Sequence, residues 1–506
     1  MAELKKPDTA DMADSRDDAK SIEATQVHEV GQDQLNRALS QRHLVMMAIG
    51  GVIGPGYFMG MGTGLSTAGP AGLLICFAIV GILLWFVIQS LGEIGSFIAV
   101  SGSFTHYSAR FIDPAWGFAL GWNYFLLWAV RITFPVIFWS VIFMSFALLG
   151  VWAFGEAEFW LALVKIIAIL SFFLCSILIS TGVIGGQNIG FKYYHDPGPF
   201  ADEIKGVFQI FVFAGLQYSG TEMIGLTAGE SRNPSKDIPK AVKSIVYRIV
   251  ILFQGGVFFL TITVPWNDEN LLGRTTKKSA SSPFVIAFNR IGATAGGHAI
   301  NAVILVTIFS AVNSAVYVGS RTLYGLAKEG AAPKVFLYTL KNGSPIVALV
   351  AFHILGFLSL LNLSSGAGAV YTWVVSMTGV ATFITFFTYI RNVFQQLTFS
   401  SGATICLCHI RLRKAMQLQN MSPSVLPYRT GTWPWGAYLG FGISVFFVFF
   451  QGWTSFAPWS VQNFFMNYII VIVFIVLGVS WKIAKKTHWV RLETADLVTG
   501  RRDWLL

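Results

Sequence analysis

The sequence predicts an all-α membrane protein of about 12 transmembrane helices, and three observations predict it. Only 12% of the 506 residues are charged while 54% are apolar, where a soluble domain carries about 25% charge. So few charges cannot cover a soluble fold of this size. From His43 to Gly92 there is no Asp, Glu, Lys or Arg, a stretch that holds two crossings at about 20 residues each. Similar runs recur to residue 481, and backbone in hydrocarbon must satisfy its own hydrogen bonds, so each run is a helix.

The spans lie near 44–66, 70–98, 115–130, 134–154, 158–182, 206–228, 242–265, 299–320, 346–363, 369–390, 435–457 and 463–481. Residues 1–43 are polar, hold no apolar core of signal-peptide length and read as a disordered tail. Lys5, Lys6 and Lys20 within it are candidate sites for ubiquitin. Residues 44–482 form the membrane domain, and 483–506 form a second tail. Four cysteines exclude a disulfide scaffold.

The net charge is +10. Of the 35 Lys and Arg, 26 fall in tails and loops on one side of the membrane and 7 on the other, with Lys165 and Arg248 inside spans. That excess places both termini in the cytoplasm. The basic balance therefore belongs to membrane loops and not to a nucleic-acid partner, which would need the charges on one polar face.

The first span reads LVMMAIGGVIGPGYFMGMGTGLS. Gly50, Gly51, Gly54, Pro55, Gly56, Gly60, Gly62 and Gly64 crowd it with helix breakers. The sixth, GVFQIFVFAGLQYSGTEMIGLTA, is interrupted at Gly215 and Gly220 and carries Glu222 in its interior. A pair of broken spans at matching positions in two halves points to a transporter whose site lies at the membrane midplane. The half-helix after Gly54 aims free amides and a partial positive charge at an anion. Broken carbonyls and Glu222 suit a cation. Together they describe a zwitterion such as an amino acid. The alternative is that the glycines only let helices pack closely.

Ionisable groups inside a membrane are costly and mark ion or proton paths, which makes Lys165 and Glu222 candidate proton-coupling residues. The alternative for Lys165 is snorkelling to an interface. Glu93, near the end of its span, reads as structural. Cys406-Leu407-Cys408-His409 is spaced too tightly for tetrahedral zinc. Asn362-Leu363-Ser364 is a glycosylation sequon in a very short loop, and the lone His353 reads as a packing residue. With no Gly-Lys dipeptide there is no P-loop. No metal and no cofactor are expected; the expected driving force is a proton gradient.

The pieces GGVIGPGYFMGMGTGL, SLGEI, VSGSFTHYSARFIDPAWGFALGWNY, GEAEFW, SGTEMIGLTAGESRNPSKDIPKA, SRTLYGLAKEGAAPKVF, CHIRLRKAM and DLVTGRRD resemble the fungal amino acid permeases of the amino acid–polyamine–organocation superfamily. The resemblance runs from about residue 37 to 506. It implies a five-plus-five inverted repeat (near 44–183 and 206–390) with two extra helices in 435–481, and proton-coupled amino acid uptake at the plasma membrane. It implies that Ile53, Gly54, Pro55 and Gly56 line the carboxylate end of the site. Leu216, Gln217, Tyr218, Ser219, Gly220 and Thr221 then line the unwound part of helix 6, with Glu222 just beyond. Lys165 stands where a helix-5 lysine replaces the second sodium ion of sodium-coupled relatives, and Asn313 and Ser314 on helix 8 face the same region.

The chain departs from that pattern at three places. Gly54-Pro55-Gly56 stands where the family has Gly-Thr-Gly or Gly-Ser-Gly, which removes one amide donor. Span 115–130 is only about 24 Å long at 1.5 Å per residue, against a hydrocarbon core of about 30 Å. Residues 386–403, with Arg391, Asn392, Gln395 and Gln396, look inserted into helix 10. The rival readings are a sensor that binds without transporting, a membrane-embedded enzyme (for which no nucleophile or base constellation exists), and an inactive variant with altered helices 3 and 10.

Overall fold

The computed structural model describes residues 35–501 except 36, 52, 101, 133–136, 272–281, 357–381, 451, 452, 454, 455, 457, 458 and 460. The Lys5, Lys6, Lys20 and Asn362 readings lie outside the described residues. Among those described, the regular elements are helices, joined by a few isolated β-bridges.

α1, Gln41–Met46, runs into a π turn, Met47–Gly51. The chain leaves helical geometry at Ile53 and Gly54, then continues through a second π turn, Gly56–Gly60, into α2, Met61–Phe97. Pro55 has helical dihedrals (φ −61°, ψ −25°) and opens the second half. There a missing N–H costs no intrahelical bond, so the proline starts a helix where the sequence suggested that it breaks one. Gly69 (φ +74°) and Pro70 then divide α2 into the end of the first span and the whole of the second.

α4, Pro114–Ile132, follows the short α3, Phe104–Phe111. Its 19 residues give about 28 Å, so the third span falls less short than 115–130 implied. α5, Ile137–Leu148, ends in a turn at Gly150, and α6 runs over Val151–Ser180. The fifth span therefore starts seven residues earlier than 158, and residues 155–157 are helix where a loop was expected.

α7 is Lys192–His195, α8 Glu203–Tyr218 and α9 Met223–Thr227. α10, Pro234–Tyr247, passes through a π segment, Arg248–Gly255, into α11, Gly256–Thr263. Then come α12, Pro283–Arg290, α13, Thr294–Lys328, α14, Ile346–Gly356, α15, Thr382–Leu418, α16, Trp435–Phe450, and α17, Val461–Lys485. Gly56–Phe97, Val151–Ser180, Pro234–Thr263 and Thr294–Lys328 are long and apolar enough to cross a membrane. α15 is continuous, so residues 386–403 extend a helix and 391–418 are not loop. Ile405, Cys408, Leu412 and Met416 are buried along it at the spacing of one helix face.

The two ends of the bundle separate the loops. At one end Leu39 pairs with Ser231, Arg42 with Glu156, His106 with Glu329, and Arg413 with Glu93. At the other, the Ala71 amide donates to Pro199, Trp266 Nε1 to the Gly198 carbonyl, and Arg290 pairs with Asp268. These are the two groups of loops that the Lys and Arg count separates.

The C-terminal segment docks on the first of these ends. Lys482 and Thr487 bond Asp113 at 2.5 and 2.8 Å, and Arg110 pairs with Asp496 at 2.9 Å. Burial alone pushes the Asp113 carboxyl up, but the bonds from Lys482, the Ala115 amide and Thr487 outweigh it and hold the pKa below its usual value. Asp496 is likewise lowered, its burial outweighed by bonds from Thr499 and Val498 and by Arg110. A carboxylate depressed in the folded state contributes stability above its unfolded pKa of about 3.9 and loses it as pH falls through the folded value. Docking should therefore be constant from about pH 7 to 5 and weaken only below about 4. Hydrogen exchange over residues 487–501 checks this, and release already between pH 7 and 5 contradicts it.

Candidate functional site

The first break is anchored by a lysine. The π turn before it lies so close to α6 that a Cβ on Gly50 would stand 2.9 Å from the Ala162 side chain. That approach brings the Ile53 carbonyl to Lys165 Nζ, which donates to it at 3.1 Å and to Ser310 Oγ at 2.8 Å. The Lys165 side chain is 0% exposed, and its ammonium lies 3.7 Å from Glu158 Oε1. It therefore reaches no interface, and snorkelling does not describe it. Glu158 accepts from the Ser310 hydroxyl and, at 3.4 Å, from Asn313 Nδ2. Broken helix 1, α6 and α13 thus converge on one buried ion pair.

Glu158 escaped the sequence reading because it stood at the presumed edge of a span. The available signal was its spacing: Glu158 and Lys165 lie seven residues apart, two turns along one helix face.

The second break falls at Ser219–Glu222, between α8 and α9. Gly220 has φ +93°, a conformation that costs other residues about 1–2 kcal/mol. Gly215, expected as a second break, is ordinary helix. A Cβ there would lie 2.4 Å from Phe399 Cζ, so that glycine serves packing. Gly220→Ala should lower the melting temperature in detergent, whereas Gly442→Ala, where a Cβ meets nothing within 4 Å, should not. Equal melting of the two variants contradicts this.

Glu222 closes the turn on itself. Its Oε2 accepts the Gly220 N–H at 2.9 Å, and its Oε1 accepts the Tyr124 hydroxyl of α4 at 3.2 Å. Tyr218, Thr221 and Glu222 line a cavity of about 30 Å³ with Val80, Phe399 and Ser444. It has room for water.

The remaining predicted residues sort by neighbour. Gly56 backs onto Gln217, whose Oε1 would lie 2.8 Å from an added Cβ. Tyr218 donates to the Phe77 carbonyl at 3.2 Å, and the Thr221 hydroxyl turns back onto the Tyr218 carbonyl at 2.9 Å. Gly54 and Pro55 are half-buried between the halves of helix 1, and Ser219 is buried. Ser314 is buried, with no partner for its Oγ among the described residues. Leu216 lies in α8, its side chain outside the description. The structure thus joins Ile53 and Asn313 through the Lys165–Glu158 pair. It sets Gly56 on Gln217, and it places Tyr218, Thr221 and Glu222 on a separate cavity.

Among the described residues no group of three or more His, Cys, Asp or Glu could hold a metal. His409 instead joins Ser90 and Glu93, and Glu93 also accepts from Arg413 and the Thr430 amide. That network ties α2, α15 and the loop before α16 together.

A match to the amino acid permease family covers residues 43–146 and 133–493. The chain belongs to the amino acid permease family. The two matched stretches overlap at 133–146. The general amino acid permease AGP3 of Saccharomyces cerevisiae is 36% identical to this permease over 93% of this chain and 85% of its own. The lysine-specific permease of the same yeast is 36% identical over 93% and 79%. The lysine-specific permease LysP of Lactococcus lactis is 35% identical over 92% and 93%. This permease is accordingly a membrane transporter and not an enzyme.

Proposed function

We propose that this permease carries amino acids into the cell across the plasma membrane, coupled to protons, by alternating access around its two broken helices. In this reading both termini are cytoplasmic. Residues near 44–183 and 206–390 form a five-plus-five inverted repeat, followed by two helices in 435–481. The observation that carries the reading is the buried Lys165 ammonium, bonded to the Ile53 carbonyl of broken helix 1 and paired with Glu158.

The charge on Lys165 holds the first break in place, so its protonation state biases the helix that moves. Substrate carboxylate meets amides of helix 1 from Gly56 onward, since Pro55 offers none. Substrate ammonium meets carbonyls of the Ser219–Glu222 turn. The proton gradient drives the cycle and no cofactor takes part.

The relatives include both a general and lysine-specific permeases, so family membership leaves the side-chain pocket open. Uptake of labelled alanine challenged with each of the twenty unlabelled amino acids tests the reading. Competition confined to a subset of amino acids is expected. Failure of every amino acid to be carried would sink it.

A further inference from the structure

We propose that Arg248 is a carboxylate-receiving residue of the transport site, taking the Glu222 carboxylate when the Ser219–Glu222 turn moves. The inference rests on the transport reading above. Arg248 opens the π segment between α10 and α11, and such segments cluster at functional positions. It is 0% exposed and among the largest fully buried side chains. Nη1 donates to the Ala48 carbonyl of broken helix 1 at 3.3 Å, and the guanidinium carbon lies 5.2 Å from the Phe253 ring centre.

Its Nε and Nη2 have no hydrogen-bond partner among the described residues. These two atoms form the side-on fork that grips a carboxylate with two parallel bonds. Buried donors left without an acceptor are costly, so an acceptor elsewhere in the cycle has a physical reason to exist.

Tyr218, Glu222 and Lys165 interact electrostatically with Arg248, and of these Glu222 alone is a carboxylate. Its carboxylate accepts from the Gly220 amide and the Tyr124 hydroxyl. A small cavity is lined both by Ala48, in the π turn that Arg248 holds, and by Gly220 and Thr221 of the Ser219–Glu222 turn. Moving Glu222 onto Arg248 would free the Gly220 amide and draw α9 towards broken helix 1. The other source of the same chemistry is the substrate's own carboxylate.

Full-length protein in proteoliposomes tests this with Arg248→Met, Glu222→Gln and the double variant. Each single change should cut initial alanine uptake by about tenfold or more, and the double should be no worse than the weaker single variant, because both remove one pair. Losses that multiply in the double, with a raised KM for alanine in Arg248→Met, assign the fork to the substrate and overturn the proposal.

A second readout needs no transport. Hydrogen exchange of the Gly220 amide should slow in Arg248→Met, because the Arg248 position of the Glu222 carboxylate is then lost. Exchange that is unchanged, or faster as in a loosened structure, overturns the pairing. Should the wild type carry no amino acid while exchange still slows in the variant, the transport reading falls and the pair stands.

Discussion

Replacing Glu222 with glutamine should abolish pH-dependent amino acid uptake while the permease still reaches the membrane. Glutamine fills the same space between Gly220 and Tyr124 and keeps an oxygen for the Gly220 amide, so the turn retains its local support. What it loses is ionisation. A carboxylate 5% exposed at the break of a membrane helix is retained at a cost that function must offset. Uptake at acidic external pH should fall by about tenfold or more, the effect of removing about 1.4 kcal/mol of interaction from a step on the pathway. Quantifying surface protein beside uptake separates transport from delivery. Unchanged pH-dependent uptake in Glu222→Gln removes Glu222 from the coupling machinery.

The second large effect is on stability. Lys165→Met leaves Glu158 fully buried with its hydroxyl and amide partners but without its cation. Breaking a buried pair from one side costs about 3–5 kcal/mol, whereas neutralising both sides is often tolerated. The single variant should therefore melt well below wild type. Lys165→Met combined with Glu158→Gln should recover most of the melting temperature and none of the proton-driven uptake. A single variant that melts like wild type shows that the pair does not hold helices 1, 5 and 8 together.

The sequence carried the two breaks more clearly than what surrounds them. Glycine and proline leave a mark that needs no partner to be read, and the chain leaves helical geometry at Ile53–Gly54 and at Ser219–Glu222. Even there the pattern could not separate a conformational glycine from a packing one. Gly220 takes a positive φ, while Gly215 makes room for Phe399, a residue 184 positions away.

Lys165 was legible because one charge in an apolar run stands out. Glu158 was not, because the boundary between the fourth and fifth spans was set seven residues late, and a carboxylate at a presumed membrane edge looks ordinary. Arg248 was legible as a residue inside a span, but that its Nε and Nη2 lack partners among the described residues depends on where Ala48 and Glu222 lie in space. The docking of the tail was invisible for the same reason: Arg110 and Asp496 lie 386 residues apart, and no local pattern joins them.

The most direct test loads purified permease into proteoliposomes and follows labelled alanine with and without an inward proton gradient. The account predicts accumulation above the external concentration when the interior is alkaline, collapse on adding a protonophore, and no accumulation without the gradient. Alanine that enters to the same final level whatever the gradient would contradict proton coupling through the Lys165 and Glu222 sites.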